Sequence, residues 1–501
     1  MKTIKILGVS VIYILLNVVV IPEGLAQKVS DPDQLKKQLD SLAASNDPDD
    51  RRLLNEKLKT LSASKVENEM AIAAVYYYQI KNAKAYDSVH AAQLIKFPKG
   101  LEARIRTQQK ISLLKSLPEI EKAYNKFIKD FPPKSYPALP FGEDRLPYDK
   151  LRSNLANRFA KEKNVVRATY YAGLLEADFW KVRSYGDLAN TFYQNGNLVQ
   201  AAFYQKKAVD RATPYAAGKM GNSVTANFAV RGYAGANSTY AQILYEQKKY
   251  TEALRFIEVA RKASKLIGAE QDYLYARILA ALGRNKEAYN NIEKAVKSGE
   301  ATSEMAEFFK VLYVKVKGSN DGLELYEADI RKGVSDNLRK TLTKNLLNTP
   351  AVNFTLSDLE GNRVTLSDLK GKIVILDFWA TWCVPCKASF PGMQLAVDKY
   401  KNDPNVQFLF IHTWERTPTP IADAKAYLAG MNYNLHVLMD TEDLESKTNK
   451  VLESYNVSSI PAKFVIDGEG NIRFKLKGFN GSKEAAVDEI SMMIEMVRVK
   501  N

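Results

Sequence analysis

The sequence predicts a multi-domain chain: an all-α, helical-repeat N-terminal region followed by a C-terminal α/β domain. Three observations carry this. From about Gln27 to Leu346 apolar residues recur three or four apart in a stretch dominated by Ala, Leu, Tyr and Lys, the spacing of amphipathic helices. From Thr349 the texture changes to short β-branched and aromatic runs alternating with helical segments, which marks a boundary at the L-N-T-P of residues 347–350. The two cysteines of this 501-residue chain, Cys383 and Cys386, stand within one helical turn in W-C-V-P-C.

The chain opens M-K-T-I-K, runs apolar from Ile6 to Ile21, breaks at Pro22-Glu23 and reaches Gly24-Leu25-Ala26. A basic start, a short greasy stretch and small residues at −3 and −1 predict a signal peptide over 1–26, cleaved after Ala26. The run is short for a membrane anchor and contains Asn17. No cysteine follows it to take a lipid. The expected location is the periplasm or cell envelope. Export separates the net charge of +15 from nucleic acid, and Lys and Arg are interspersed with Glu and Asp as on solvated helix faces. Attraction to anionic envelope surfaces, a peripheral membrane association, fits the same charge.

Residues 27–131 read as helical without a clean repeat. Pro132, Pro133, Pro137, Pro140 and Pro147 then make residues 132–148 a stiff connector. In 149–346, Ala189, Phe192, Ala201 and Ala208 share internal offsets with Ala241, Leu244, Ala253 and Ala260, and with Ala276, Leu279, Ala288 and Ala295. Each set brackets a polar turn, and the last two copies are 35 residues apart. Small residues at these offsets let paired helices approach closely, and the pattern resembles tetratricopeptide repeats. An insertion from Thr213 to Asn237 displaces the first copy. The frequent Tyr and Phe, among them Tyr76, Tyr77, Tyr78, Tyr170, Tyr171, Phe192, Tyr193 and Tyr204, read as core packing. A helical array of this kind is also a partner-binding surface.

Lys372 to Trp379 reads as a buried strand, and the cysteines follow it where a helix begins. Unpaired N–H groups and the helix dipole favour a thiolate there, so Cys383 is expected to be an exposed, low-pKa nucleophile. Cys386, three residues on, can reach back and close a Cys383–Cys386 disulfide. Pro385 suits a first helical turn, and Pro391 is expected to kink the helix beyond the dithiol. Asp377, among Ile375, Leu376, Phe378 and Trp379, is expected to be desolvated, its pKa raised, and able to take the proton of Cys386. Trp382 is expected to wall the substrate surface and Trp379 to lie in the core.

V-I-L-D-F-W-A-T-W-C-V-P-C-K with Ser459-Ile460-Pro461 downstream resembles a thioredoxin-like fold, and more closely the exported TlpA/ResA group of thiol:disulfide oxidoreductases, over residues 350–501. Phe354-Thr355-Leu356 and Arg363-Val364-Thr365-Leu366, joined by Leu359-Glu360-Gly361-Asn362, resemble that group's extra hairpin. Val406–His412, Asn434–Met439, Lys463–Asp467 and Ile472–Phe479 read as its further strands. The resemblance implies a cis peptide at Pro461 facing the cysteines. The backbone at Ile460 and Pro461 can then pair with an extended substrate segment. Two departures stand out. Three residues after the second cysteine, where ResA-like reductases of apocytochrome c carry glutamate, is Ser389, which weakens a link to cytochrome c biogenesis. No lysine lies between Val406 and His412 to partner Asp377 as in thioredoxin. His412 reads as a strand-end residue.

The implied activity is reduction of disulfides in client proteins, with a membrane thiol reductant resetting the C-x-x-C pair, no cofactor and no metal. Zinc would need two ligands beyond the cysteines, and His90, His412 and His436 have no metal-site spacing. A thioredoxin-fold peroxidase usually carries P-x-x-x-T-x-x-C, whereas Ala380 stands three residues before Cys383. Beside the peroxidase, the other alternative is an envelope scaffold whose redox module only docks.

Overall fold

The computed structural model describes residues 32–136, 143–221, 223–264, 267–415, 417, 419–443, 448–478 and 482–498. The signal-like segment 1–26 and the connector prolines Pro137 and Pro140 lie outside them. The chain forms two compact units, 1–266 and 267–501. The texture boundary at 347–350 therefore falls inside the second unit.

The first unit is helical: α1 (Pro32–Ala44), α2 (Pro48–Ser62), α3 (Glu67–Gln79), α4 (Ala83–Lys96), α5 (Leu101–Ser112), α6 (Leu117–Asp130), α7 (Leu146–Lys161), α8 (Val165–Gly173), α9 (Asp178–Gln194), α10 (Leu198–Ala216), α11 (Val224–Arg231), α12 (Tyr233–Glu246) and α13 (Tyr250–Ala263). Three of the turns between paired helices share one recipe. A residue in the left-handed region, Lys81, Lys163 or Gly196, ends one helix, and the asparagine after it caps the next. Asn82, Asn164 and Asn197 each accept a hydrogen bond from the amide three residues on, satisfying a donor that a helix start leaves free. The insertion after Thr213 contributes α11. In the first core, Tyr148, Phe127, Phe159, Tyr171 and Phe192 pack together, so these aromatics fill the interior.

The second unit begins with α14 (Ala269–Ala281), α15 (Asn285–Ser298), α16 (Ser303–Lys317) and α17 (Leu323–Lys344). The repeated small and apolar positions are buried in both units, from Ala189 at 0% to Ala295 at 4% exposed. Beyond α17 come β1 (Thr349–Pro350), β2 (Thr355–Asp358), β3 (Arg363–Thr365), β4 (Ile373–Trp379), α18 (Val384–Tyr400), β5 (Val406–His412), α19 (Pro420–Met431), β6 (Val437–Met439), α20 (Lys450–Ser454), β7 (Ala462–Ile466), β8 (Asn471–Lys477) and α21 (Lys483–Arg498). One eight-stranded sheet runs β1-β8-β7-β4-β5-β6-β2-β3. β4 pairs parallel with β5, and β5 with β6, while β7 and β8 close the other side antiparallel.

β4 is buried along its whole length because helices or loops cover both faces. Ile373, Ile375 and Trp379 face one apolar layer with Phe390 and Met393 of α18 and with Met493 and Ile494 of α21. Val374, Leu376 and Phe378 face the other with Val451, Leu452 and Tyr455. Leu342 belongs to the first layer, and Leu338 and Leu346 pack against it, so the end of α17 is part of the sheet domain's core. β1 was not anticipated, since two residues paired with Ile472 and Asn471 leave no periodic signal. β6 spans only Val437–Met439, the residues that pair with β5, rather than starting at Asn434.

Candidate active site

Cys383 is the N-cap of α18, and its Sγ accepts a hydrogen bond from the Cys386 backbone amide at 3.2 Å. Val384 and Pro385 fill the first helical positions, where proline's missing N–H leaves no bond unmade. Pro391 lies within the same helix. The two sulfurs are joined as a disulfide. Cys383 is 3% exposed, a correction to the exposed residue expected from sequence: in the disulfide it joins the apolar layer of Trp379, Ala380 and Phe390. Its neighbours Trp382 and Val384 reach solvent instead, at 37% and 72% exposed. Trp379 is fully buried.

Asp377 lies on β4 between Ile375 and Trp379, and strand alternation turns it toward the same face as the cysteine helix. It is 1% exposed, and burial pushes its carboxyl above the ordinary range, with the Lys463 ammonium pulling it back. Lys463 is the second correction. It sits directly across from Asp377 in the β4–β7 pairing, with Nζ 3.2 Å from Asp377 Oδ2 and both side chains almost wholly enclosed. The expectation of no lysine partner considered β5, whereas the partner comes from β7. A lysine inside the apolar run A-K-F-V-I was the available signal.

Lys463 Nζ also lies 3.5 Å from Ser389 Oγ, and that hydroxyl donates to the Cys386 carbonyl at 2.8 Å. A polar thread thus runs from the buried carboxylate to the helix turn that carries the second cysteine. Pro461 follows Ile460 through a cis peptide. Pro461 precedes β7, so the same short stretch carries Ile460, Pro461 and Lys463.

On the other side of the cysteines, β5 ends at His412, which is 1% exposed with its ring edge-on to Trp379 at 4.7 Å. His412 Nε2 lies 3.1 Å from Glu415 Oε2. Burial lowers the imidazole's pKa and Glu415 opposes the shift. His412 is thus a paired residue, and the role of Glu415 was not legible because its other partner, Thr381, comes from a distant loop.

Comparison with known proteins accords with this arrangement. A sequence profile of the AhpC/TSA family matches residues 347–475. The thiol-disulfide oxidoreductase ResA of Bacillus subtilis (strain 168) is 38% identical over 122 residues, 24% of this chain and 62% of that protein. ResA of Bacillus cereus (strain ATCC 10987 / NRS 248) is 30% identical over 170 residues, 34% of this chain and 87% of its own length. The chain belongs to the ResA-type thiol-disulfide oxidoreductases. A solved structure of a putative thiol:disulfide interchange protein DsbE from Chlorobium tepidum is 32% identical, covering 29% of this chain and 96% of that one with a TM-score of 0.25. In this ResA-type domain the position three after the second cysteine is the buried Ser389, hydrogen-bonded to the turn above it.

Proposed function

We propose that this chain is an exported oxidoreductase that reduces disulfides in client proteins, with its helical region binding the partner. The observation that carries the reading is the Cys383–Cys386 pair at the start of α18, where Cys383 Sγ already accepts a backbone N–H. The same N–H and the helix dipole favour a thiolate once the pair is reduced.

In the first step the Cys383 thiolate attacks one sulfur of a client disulfide. A bond forms between Cys383 and that sulfur, and the other client sulfur leaves as a thiolate that takes a proton from solvent. Cys386 then loses its proton to Asp377, and its thiolate attacks Cys383 Sγ. The mixed disulfide breaks, the second client sulfur leaves as a thiolate that takes a proton from solvent while Asp377 gives its own back to solvent, and the Cys383–Cys386 disulfide is restored. The client gains two electrons and two protons. A membrane dithiol reductant must supply two electrons for the next cycle, and the pair's potential against that reductant sets the direction. Trp382, Ile460 and Pro461 frame the face on which the extended client segment lies.

Cys386→Ser leaves the first step intact and removes the second, so the variant in the native envelope should accumulate clients covalently bound to Cys383. Recovery of no client would count against this reading. Retention of full biological activity by Cys383→Ser would favour the docking scaffold. Recovery of apocytochromes would restore a maturation role despite Ser389.

A further inference from the structure

Three connections tie the segment just before Cys383 to the loop after β5. Thr413 N donates to the Trp379 carbonyl at 2.9 Å. Thr381 gives both its amide, at 3.0 Å, and its hydroxyl, at 2.5 Å, to Glu415 Oε2. Trp382 Nε1 donates to the Trp414 carbonyl at 2.7 Å. The same Glu415 oxygen is held by His412, and side-chain exposure is 6% for Glu415 and 1% for His412. Trp414 takes φ of 49°, a left-handed conformation that is a genuine outlier for a bulky residue. Such strain persists where surrounding contacts over-determine it, and it gathers at functional sites.

We propose that Glu415 is a positioning residue. Held by His412, it clamps Thr381 and so fixes residues 380–382 and the indole of Trp382 beside Cys383, presenting Trp382 as a rigid wall to an apolar, extended client segment. The clamp deepens the dithiol-exchange reading and rests on it for its purpose, though not for its geometry. A carboxylate with three donors on one oxygen sets an orientation. A free Trp382 would have to be ordered at each encounter, and misplaced contacts near reacting atoms slow a reaction by large factors.

The test uses the full chain with Glu415→Ala and Glu415→Gln, the second keeping an oxygen for Thr381. One readout is hydrogen exchange of the Trp382 indole N–H, assigned by its loss in Trp382→Phe. The other is the second-order rate of insulin disulfide reduction. Glu415→Ala should speed indole exchange about tenfold and slow reduction about tenfold, with Glu415→Gln within about threefold of wild type in both. Unchanged indole exchange in Glu415→Ala, or equal effects of Gln and Ala, would overturn the proposal. If Glu415→Ala does not fold, Thr381→Val removes one of the two bonds and should still speed exchange; no change there overturns it equally. If wild type leaves insulin unreduced, the functional reading fails, while indole exchange still decides the role of Glu415.

Discussion

Asp377 and Lys463 face each other with almost no solvent between them, so burial pushes the carboxyl's pKa up while the ammonium beside it pulls it back. Asp377→Asn should slow resolution of the mixed disulfide by about 10–100-fold and leave the first attack unchanged, as rapid acid-quench of the intermediate would show. Lys463→Met removes the positive charge that holds the carboxyl down, so the pH at which resolution becomes fast should move upward; a downward or absent shift would refute the pairing. Stability carries the same signature. An acid whose pKa is raised on folding contributes stability that is complete below its unfolded value and is lost as pH rises through its folded one. Urea unfolding of Asp377→Asn should therefore depend less steeply on pH across that window, by up to about 1.4 kcal/mol per pH unit.

The element that carries the dithiol, α18, is held down by α21. At Gly392, one residue past Pro391, an added Cβ would stand 2.9 Å from the Lys483 carbonyl oxygen and 3.0 Å from Ala486 Cβ. Gly392→Ala should thus destabilise by about 1–3 kcal/mol, despite alanine's better helix propensity, measured as a lower denaturant midpoint. These elements were legible in the sequence where the signal is local: β4 and the helix start after it are adjacent, and the cysteine spacing, Pro385 and Asp377 are read within eleven residues. What stayed hidden depends on register between distant segments. Lys463 stands opposite Asp377 only once β7 pairs with β4. Glu415 meets Thr381 only once the loop after β5 folds back.

At the scale of the molecule, the texture change near residue 348 separates the sheet from a helix that shares its core. Leu342 of α17 is 2% exposed within the sheet domain's core, with Leu338 and Leu346 beside it. A fragment of 350–501 should melt below one of 267–501, and Leu342→Ala should cost about 2–4 kcal/mol in unfolding free energy. Equal melting of the two fragments would show that α17 is dispensable. Potential measurements belong on the longer piece.

The Asp377–Lys463 bridge also bears on how the strands find one another. β4 and β7 are greasy on both sides, so burial by itself barely distinguishes one alignment from the next, unlike a strand with a wet face. A slip of β7 by one residue would strand an ammonium in the layer of Phe378 and Leu376 and leave its carboxylate alone in the other, a penalty of about 3–5 kcal/mol. The two charges act as a checksum on assembly: they meet only when the sheet around them has been zipped in its proper alignment.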